Sequence, residues 1–265
     1  MASLQSIHLY HIPGFRSTRV LWLYLELQKL YENKLGFTLP SLIVQEFKDV
    51  TKFRNEKSKF YLEDCNPNGK VPTLVDPNKD VVMWESCACC LYLLETYDID
   101  GVMLDRVNPK ERSLYHQLAF YSSGTLDNLT STSSPVQRAV LALQQGPANM
   151  KVVLKKENKV SWDTIIAPYY EQLLLQNGGP YLVGQNFKAI DVIFGHDLYG
   201  LHEKLIARGG GKSWLNREMH PQLCAYHERI SERDAYKIAF AQTDTWPQTL
   251  FDSGRVTCVA ASLWK

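Results

Sequence analysis

The first 97 residues carry short apolar segments at the spacing of a small α/β domain. The alternating or β-branched segments are residues 7–10, 42–44, 71–75 and 81–84. Such segments predict four strands. Between the first two, Val20, Leu23, Tyr24 and Leu27 recur at i, i+3, i+4 and i+7, which predicts a helix with one buried face. Residues 85–97 form a second apolar helical segment. The order β-α-β, then a hairpin and a helix, predicts an α/β domain over residues 4–97.

Beyond residue 108 the apolar positions follow the helical period. The predicted helices are residues 109–129, 136–145, 162–176, 190–207 and 221–233. This pattern predicts a second, all-helical domain over residues 108–243. The tail, residues 244–265, has no clear period. Its aromatic residues suggest that it docks on another part of the protein.

The turn before the third predicted strand is the most informative segment. Asn66-Pro67 and Asn68-Gly69 are strong turn dipeptides, and Pro72 stands at the mouth of the strand. A proline there suits a strand edge or a cis bond, which would turn the backbone groups of Val71 outward. Glu85-Ser86 then opens a helix. A carboxylate, a hydroxyl and helix N-terminal N–H groups beside an exposed backbone edge suit an extended zwitterionic peptide.

Composition narrows the function classes. Of 265 residues, 45% are hydrophobic and 22% are charged, which is typical of a globular protein. A net charge of +1 gives no electrostatic reason to expect nucleic acid or an anionic membrane as a partner. No apolar run approaches the roughly 18 residues that span a bilayer, and the N-terminus lacks the features of a secretory signal. We therefore expect a cytoplasmic protein.

Six cysteines in this length indicate reduced cytosolic thiols rather than a disulfide framework. Cys87, Cys89 and Cys90 cluster on one predicted helix without a matching second pair of ligands. Because three thiols fall short of the four ligands of a tetrahedral zinc site, we expect no metal there.

The start of the first helix allows two interpretations. Ser17 or Thr18 could be an N-cap, a contribution of about 1 kcal/mol. Alternatively, a hydroxyl at the positive helix end could donate to a thiolate and lower the pKa of that thiol. Arg19, in the same first turn, is expected to be structural and to pair with an acidic side chain.

Taken together, these segments resemble the cytosolic glutathione transferase superfamily, in its bacterial and fungal style. Residues 10–22 resemble its first strand, active-site loop and first helix, with a serine-type motif. Residues 66–72 with Glu85-Ser86 resemble its glutathione-site signature. Residues 180–191 resemble its helix-capping segment, and residues 220–236 its late helices.

The resemblance implies a thioredoxin-like N-terminal domain, an all-helical C-terminal domain and a homodimer. It implies glutathione as cosubstrate, with its thiolate attacking a small hydrophobic electrophile, as in detoxification. The glutathione-binding residues it implies are Phe15, Lys70, Val71, Pro72, Glu85 and Ser86. Val71, bonded to a cis Pro72, would hold the cysteine backbone of glutathione, and Glu85 and Ser86 would hold the γ-glutamyl end.

The sequence departs from the family pattern in three places, and the first of them bears on activity. Phe15 occupies the position where serine-type members carry a hydroxyl, and phenylalanine cannot donate to a thiolate. Ser17 is the nearest remaining hydroxyl and is the predicted catalytic residue, with Thr18, His11 and Tyr10 as alternatives. A non-catalytic binding or regulatory module is the alternative function.

The second departure is Lys188, which replaces the usual Ser or Thr of a capping box. It predicts a lower stability or a different cap. The third is the length of the tail and of the segment between residues 31 and 42. The tail could cover the electrophile pocket.

Overall fold

The computed structural model describes residues 4–55, 59–130, 142–144, 146–207, 212–241, 243–247 and 254–260. The described residues form two compact units, one from Met1–Met103 with Glu232–Lys265 and the other from Leu104–Ser231.

The first unit is built on a mixed sheet. Its strands are β1 (Ile7–His11), β2 (Leu42–Glu46), β3 (Thr73–Asp76), β4 (Val81–Trp84) and β5 (Val256–Ala260). Their order in the sheet is β4-β3-β1-β2-β5. The strands β1, β2 and β5 are parallel, whereas β3 and β4 form an antiparallel hairpin at the other edge. The sheet and its helices confirm the predicted thioredoxin-like arrangement.

The helices of this unit are α1 (Ser17–Tyr31), α2 (Val50–Asn55) and α3 (Ser86–Tyr97), with α11 (Asp234–Phe240) from the late part of the chain. A π-helical turn, Tyr61–Cys65, precedes the turn before β3. Helix α1 is buried all round from Ser17 to Leu27, rather than on the single predicted face. The cause is α11, which packs on it: the rings of Trp22 and Tyr236 lie 4.9 Å apart, edge to face.

Helix α11 belongs to the first unit by its contacts, although it lies within residues 108–243, which were predicted as one helical domain. The limits of that domain stay a prediction. Arg233, just before α11, donates from Nε and Nη2 to the two carboxylate oxygens of Glu26 in α1, each at 2.7 Å. A helical period cannot show which domain a helix packs against, because that depends on a contact 207 residues away in the sequence.

The tail was predicted as a separate segment without a period, yet residues 256–260 form the edge strand β5. Its register on β2 pairs Leu42 with Val256 and Glu46 with Ala260. The Leu42 N–H donates to the Arg255 carbonyl at 2.7 Å. In this position the described part of the tail extends the sheet.

We expect Val256→Ala to lower the free energy of unfolding by about 2 kcal/mol, because a fully buried side chain is lost from β5. Val259→Ala on the same strand is the matched control: Val259 is 37% exposed, so its effect should stay within about 0.5 kcal/mol. Urea unfolding measures both. Equal effects of the two substitutions would contradict the buried position of Val256.

The second unit is helical, as predicted. Its helices are α4 (Pro109–Tyr121), α5 (Asp127–Thr130), α6 (Pro147–Ser161), α7 (Ala167–Gln176), α8 (Ala189–Leu201), α9 (Glu203–Ala207) and α10 (Pro221–Ser231). The predicted helix at 136–145 lies outside the described residues, apart from 142–144. Helix α8 is the central helix and is buried along most of its length. Tyr170 stacks on its Phe194 with ring centroids 3.7 Å apart.

The start of α8 shows how the chain replaces the missing hydroxyl cap. The Asp191 carboxylate accepts from the Lys188 N–H at 2.7 Å, the Leu182 N–H at 3.0 Å and the Tyr226 hydroxyl at 2.9 Å. The Lys188 ammonium turns to Glu111, 3.2 Å away. The alternative of a different cap is therefore the observed one.

Among the described helices, none is both long and apolar enough to cross a membrane.

Candidate glutathione site

The predicted site residues Lys70, Val71, Pro72, Glu85 and Ser86 line one pocket of the first unit. The other lining residues are Arg16, Asn66 and Asn68, and the pocket encloses about 290 Å³, part of it open to solvent. The β3–β4 hairpin brings together the lining residues that precede β3 and those that follow β4. Thr73 pairs with Trp84, so the residues one step further, Pro72 and Glu85, lie side by side.

Hydrogen bonds from the side chains of Tyr61 and Asn66 hold the turn before β3. The Val71–Pro72 bond is cis, as the family resemblance implied. The Lys70 carbonyl accepts from Asn66 Nδ2 at 2.9 Å and from the Tyr61 hydroxyl at 2.6 Å. The Asn66 side chain also accepts from the Asn68 N–H at 2.9 Å. These bonds fix the backbone on which the Lys70 side chain and the polar groups of Val71 are presented to the pocket.

Glu85 has a backbone conformation that non-glycine residues rarely adopt, with φ of 74°. Such conformations cost of order 1–3 kcal/mol and cluster at functional sites. Here the conformation turns the chain from β4 into α3 and leaves the Glu85 side chain exposed at the pocket. The next residue, Ser86, is only 4% exposed and begins the helix.

The pocket holds two cationic side chains, Arg16 and Lys70, and one anionic side chain, Glu85. Arg16 immediately precedes α1, where the helix dipole is positive. The arrangement therefore favours a ligand with more than one carboxylate and a single ammonium group. Arg16 was not among the predicted site residues, although its position just before a helix is visible in the sequence.

The loop residues predicted to activate a thiol lie elsewhere. Ser17 is fully buried, and its hydroxyl accepts from the Ile12 N–H at 3.1 Å and donates to the Ile12 carbonyl at 3.3 Å. Thr18 is also fully buried and accepts from the Gly14 N–H at 3.0 Å. These hydroxyls hold the loop to α1, which argues against Ser17 as a donor to a ligand. Neither hydroxyl caps α1, so the predicted N-cap role of Ser17 or Thr18 is not observed.

The aromatic and imidazole alternatives are also enclosed. His11 is fully buried at the end of β1, and burial lowers its pKa to about 3. Tyr10 packs against Phe47 and Tyr61, and burial raises its pKa. Phe15, predicted to bind glutathione, packs on the same aromatic cluster and is outside the pocket lining.

One group of side chains in the second unit has the composition of a metal site. Ligand atoms of Asp127, His196 and Asp197, all buried, lie within 4.8 Å of one another. Ser122 donates to Asp197 at 2.6 Å, so hydrogen bonding already engages this group. Three ligands are one fewer than a closed structural zinc site uses.

All six cysteines are thiols, and none is in a disulfide.

Comparison with known proteins defines the class. The family model of the glutathione S-transferase N-terminal domain matches residues 17–96, and that of the C-terminal domain matches residues 155–239. The chain belongs to the glutathione S-transferase superfamily.

Individual relatives agree with this assignment. The chain is 28% identical over 195 residues to the glutathione S-transferase-like protein OpS6 of Beauveria bassiana, covering 73% of this chain and 78% of the relative. It is 51% identical over 119 residues to the glutathione S-transferase-like protein tpcF of Aspergillus fumigatus, covering 45% of this chain and 52% of the relative. Its fold is similar to that of a glutathione transferase homologue from Sulfitobacter, solved with bound glutathione. The TM-score is 0.62 at 16% identity, covering 94% of this chain and 99% of that one.

Proposed function

We propose that the protein binds glutathione in the pocket at Pro72 and conjugates the glutathione thiolate to small hydrophobic electrophiles. The observation that carries the proposal is charge complementarity. Glutathione in its thiolate form has three anionic groups and one ammonium group, and the pocket offers two cations, one anion and the N-terminal N–H groups of α3. In this arrangement Glu85 takes the ammonium, Ser86 and the N-terminus of α3 take the γ-glutamyl carboxylate, and Lys70 takes the glycine carboxylate.

The double substitution Glu85→Ala with Ser86→Ala should release the protein from immobilised glutathione, because both contacts to the γ-glutamyl end are removed. We expect glutathione affinity to fall about 100-fold or more, since hydrogen bonds to charged groups contribute about 1.5–3 kcal/mol each. Titration calorimetry measures the affinity. Glu95→Ala, an exposed carboxylate further along α3, is the control and should bind like the wild type. Unchanged retention of the double variant would remove the proposed site.

For the thiol, we propose activation by the Arg16 guanidinium and the positive end of α1, rather than by Ser17. A cation beside a thiol lowers its pKa by favouring the thiolate. Arg16 lines the pocket, whereas the Ser17 hydroxyl is committed to the Ile12 backbone.

Arg16→Met should shift the pH dependence of conjugation upward by about one unit, because an opposite charge lowers a pKa by roughly 1–3 units. Ser17→Ala should leave the pH profile in place and instead lower stability by about 1–3 kcal/mol, because buried backbone groups of Ile12 lose their partner. The rate with a generic aryl halide, measured from pH 6 to 9, separates the two. A shift caused by Ser17→Ala alone would identify Ser17 as the activator.

The second candidate function is a glutathione-binding module without turnover. The engagement of both loop hydroxyls within the fold favours it, together with Phe15 at the usual hydroxyl position. Retention on glutathione without conjugation at any pH would support this alternative. The cytoplasmic location and the homodimer stay predictions.

A further inference from the structure

Arg19 is a fully buried arginine in α1 that reaches the first turn of α3. Its Nη1 donates to Ser86 Oγ at 2.9 Å and to Cys87 Sγ at 3.3 Å. Burying a guanidinium carries a desolvation penalty of several kcal/mol unless hydrogen bonds offset it. These two contacts are with a hydroxyl and a thiol in the first turn of α3. The pairing of Arg19 with an acidic side chain stays a prediction.

The contact determines what the Ser86 hydroxyl can do. A hydroxyl has one hydrogen to donate and two lone pairs to accept, whereas arginine only donates. Arg19 therefore occupies a lone pair of Ser86 Oγ and cannot receive its hydrogen. In the part of the chain that the structure describes, this is the single side-chain hydrogen bond of Ser86. Its hydroxyl hydrogen thus has no acceptor there, and Ser86 lines the pocket.

We propose that Arg19 is a positioning residue that holds Ser86 as a donor toward a carboxylate in the pocket. This inference rests on the proposed function, which places the γ-glutamyl carboxylate of glutathione at Ser86. The positive charge of Arg19 also polarises the hydroxyl, which strengthens the bond that Ser86 donates. Arg19 itself does not line the pocket and acts through Ser86.

A double-mutant cycle on glutathione affinity tests the proposal. Ser86→Ala should weaken binding about tenfold, since a hydrogen bond to a charged group is lost. Arg19→Met, which keeps an unbranched apolar stem and removes the guanidinium donors, should weaken binding about threefold to tenfold when Ser86 is present. It should have almost no effect in the Ser86→Ala background. The coupling between the two positions should therefore be about threefold or more.

Two further variants separate positioning from packing. Cys87→Ala removes a second contact of Arg19 without changing a pocket-lining residue, and this variant should bind glutathione like the wild type. Arg19→Lys keeps a cationic donor and should recover part of the affinity lost in Arg19→Met. Thermal unfolding of each variant shows that the folded protein is being measured.

The possible results distinguish failure of the proposed function from failure of the positioning role of Arg19. If wild-type protein does not bind glutathione, the proposed function fails. If it binds, but Arg19→Met weakens binding equally with Ser86 or Ala at position 86, only the positioning role is overturned. Loss of the fold in both Arg19 variants would also overturn it, because the residue would then act by maintaining the fold.

Discussion

Arg233→Ala should lower the free energy of unfolding by about 3 kcal/mol. Glu26 is 4% exposed and receives two 2.7 Å hydrogen bonds from the Arg233 guanidinium. Removing one partner of a buried ion pair leaves an uncompensated charge, which typically costs 3–5 kcal/mol. We place the effect at the lower end because the Arg233 side chain is 31% exposed and because Trp22 Nε1 still donates to Glu26.

The matched control for this prediction lies on the same helix. Lys237 pairs with Glu232 at 2.7 Å, but both side chains are more than half exposed. Exposed pairs of this kind contribute about 0–1 kcal/mol, so Lys237→Ala should change stability little. Urea unfolding followed by tryptophan fluorescence compares the two. If both variants lose less than about 1 kcal/mol, Arg233 does not attach the start of α11 to α1 as described.

Acidification from pH 7 to pH 4 should destabilise the wild type by about 3 kcal/mol through His11 alone. Burial lowers the pKa of His11 to about 3, below the value of 6.5 for an exposed histidine, and neither ring nitrogen has a hydrogen-bond partner among the described residues. Between pH 6.5 and pH 3 the unfolded state therefore binds the proton and the folded state does not. Stability is lost as the pH falls, at about 1.4 kcal/mol per unit.

His11→Leu isolates this contribution. Leucine fills a similar volume without a titrating group, so the variant should lose about 3 kcal/mol less than the wild type between pH 7 and pH 4. At pH 7 it should be no less stable, because two buried nitrogens without partners are removed. Chemical unfolding at both pH values gives the comparison. The same acid loss in both proteins would show that His11 is not the group responsible.

Local sequence signals predicted most of the residues that line the candidate glutathione pocket. The turn dipeptides, Pro72 and the polar pair Glu85-Ser86 identified two segments that line the pocket. A hairpin of the predicted length was enough to bring them together, because its pairing is local: Thr73 and Trp84 are 11 residues apart. The same reasoning missed Arg16 as a lining residue.

Predictions that depended on the direction of a side chain were less secure. Ser17 and Thr18 stand at a helix start in any reading of the sequence. Whether their hydroxyls face a ligand or the Ile12–Gly14 backbone depends on how the loop folds back over α1. Likewise, the sequence marked Arg19 as structural, but only the packing of α1 against α3 shows that it donates to Ser86.

The sequence by itself determined the two-part α/β and helical architecture and the position of the turn at Val71–Pro72, because these follow from periodicity and short-range turn chemistry. The superfamily came from the resemblance of four segments, in order along the chain, to known glutathione transferases. Only the tertiary structure decided that α11 and β5 complete the first unit, and that Ser17 supports the loop rather than facing the pocket. The physical reason is distance along the chain. Glu26 meets Arg233 and Leu42 meets Val256 across more than 200 residues, and no local pattern specifies such partners.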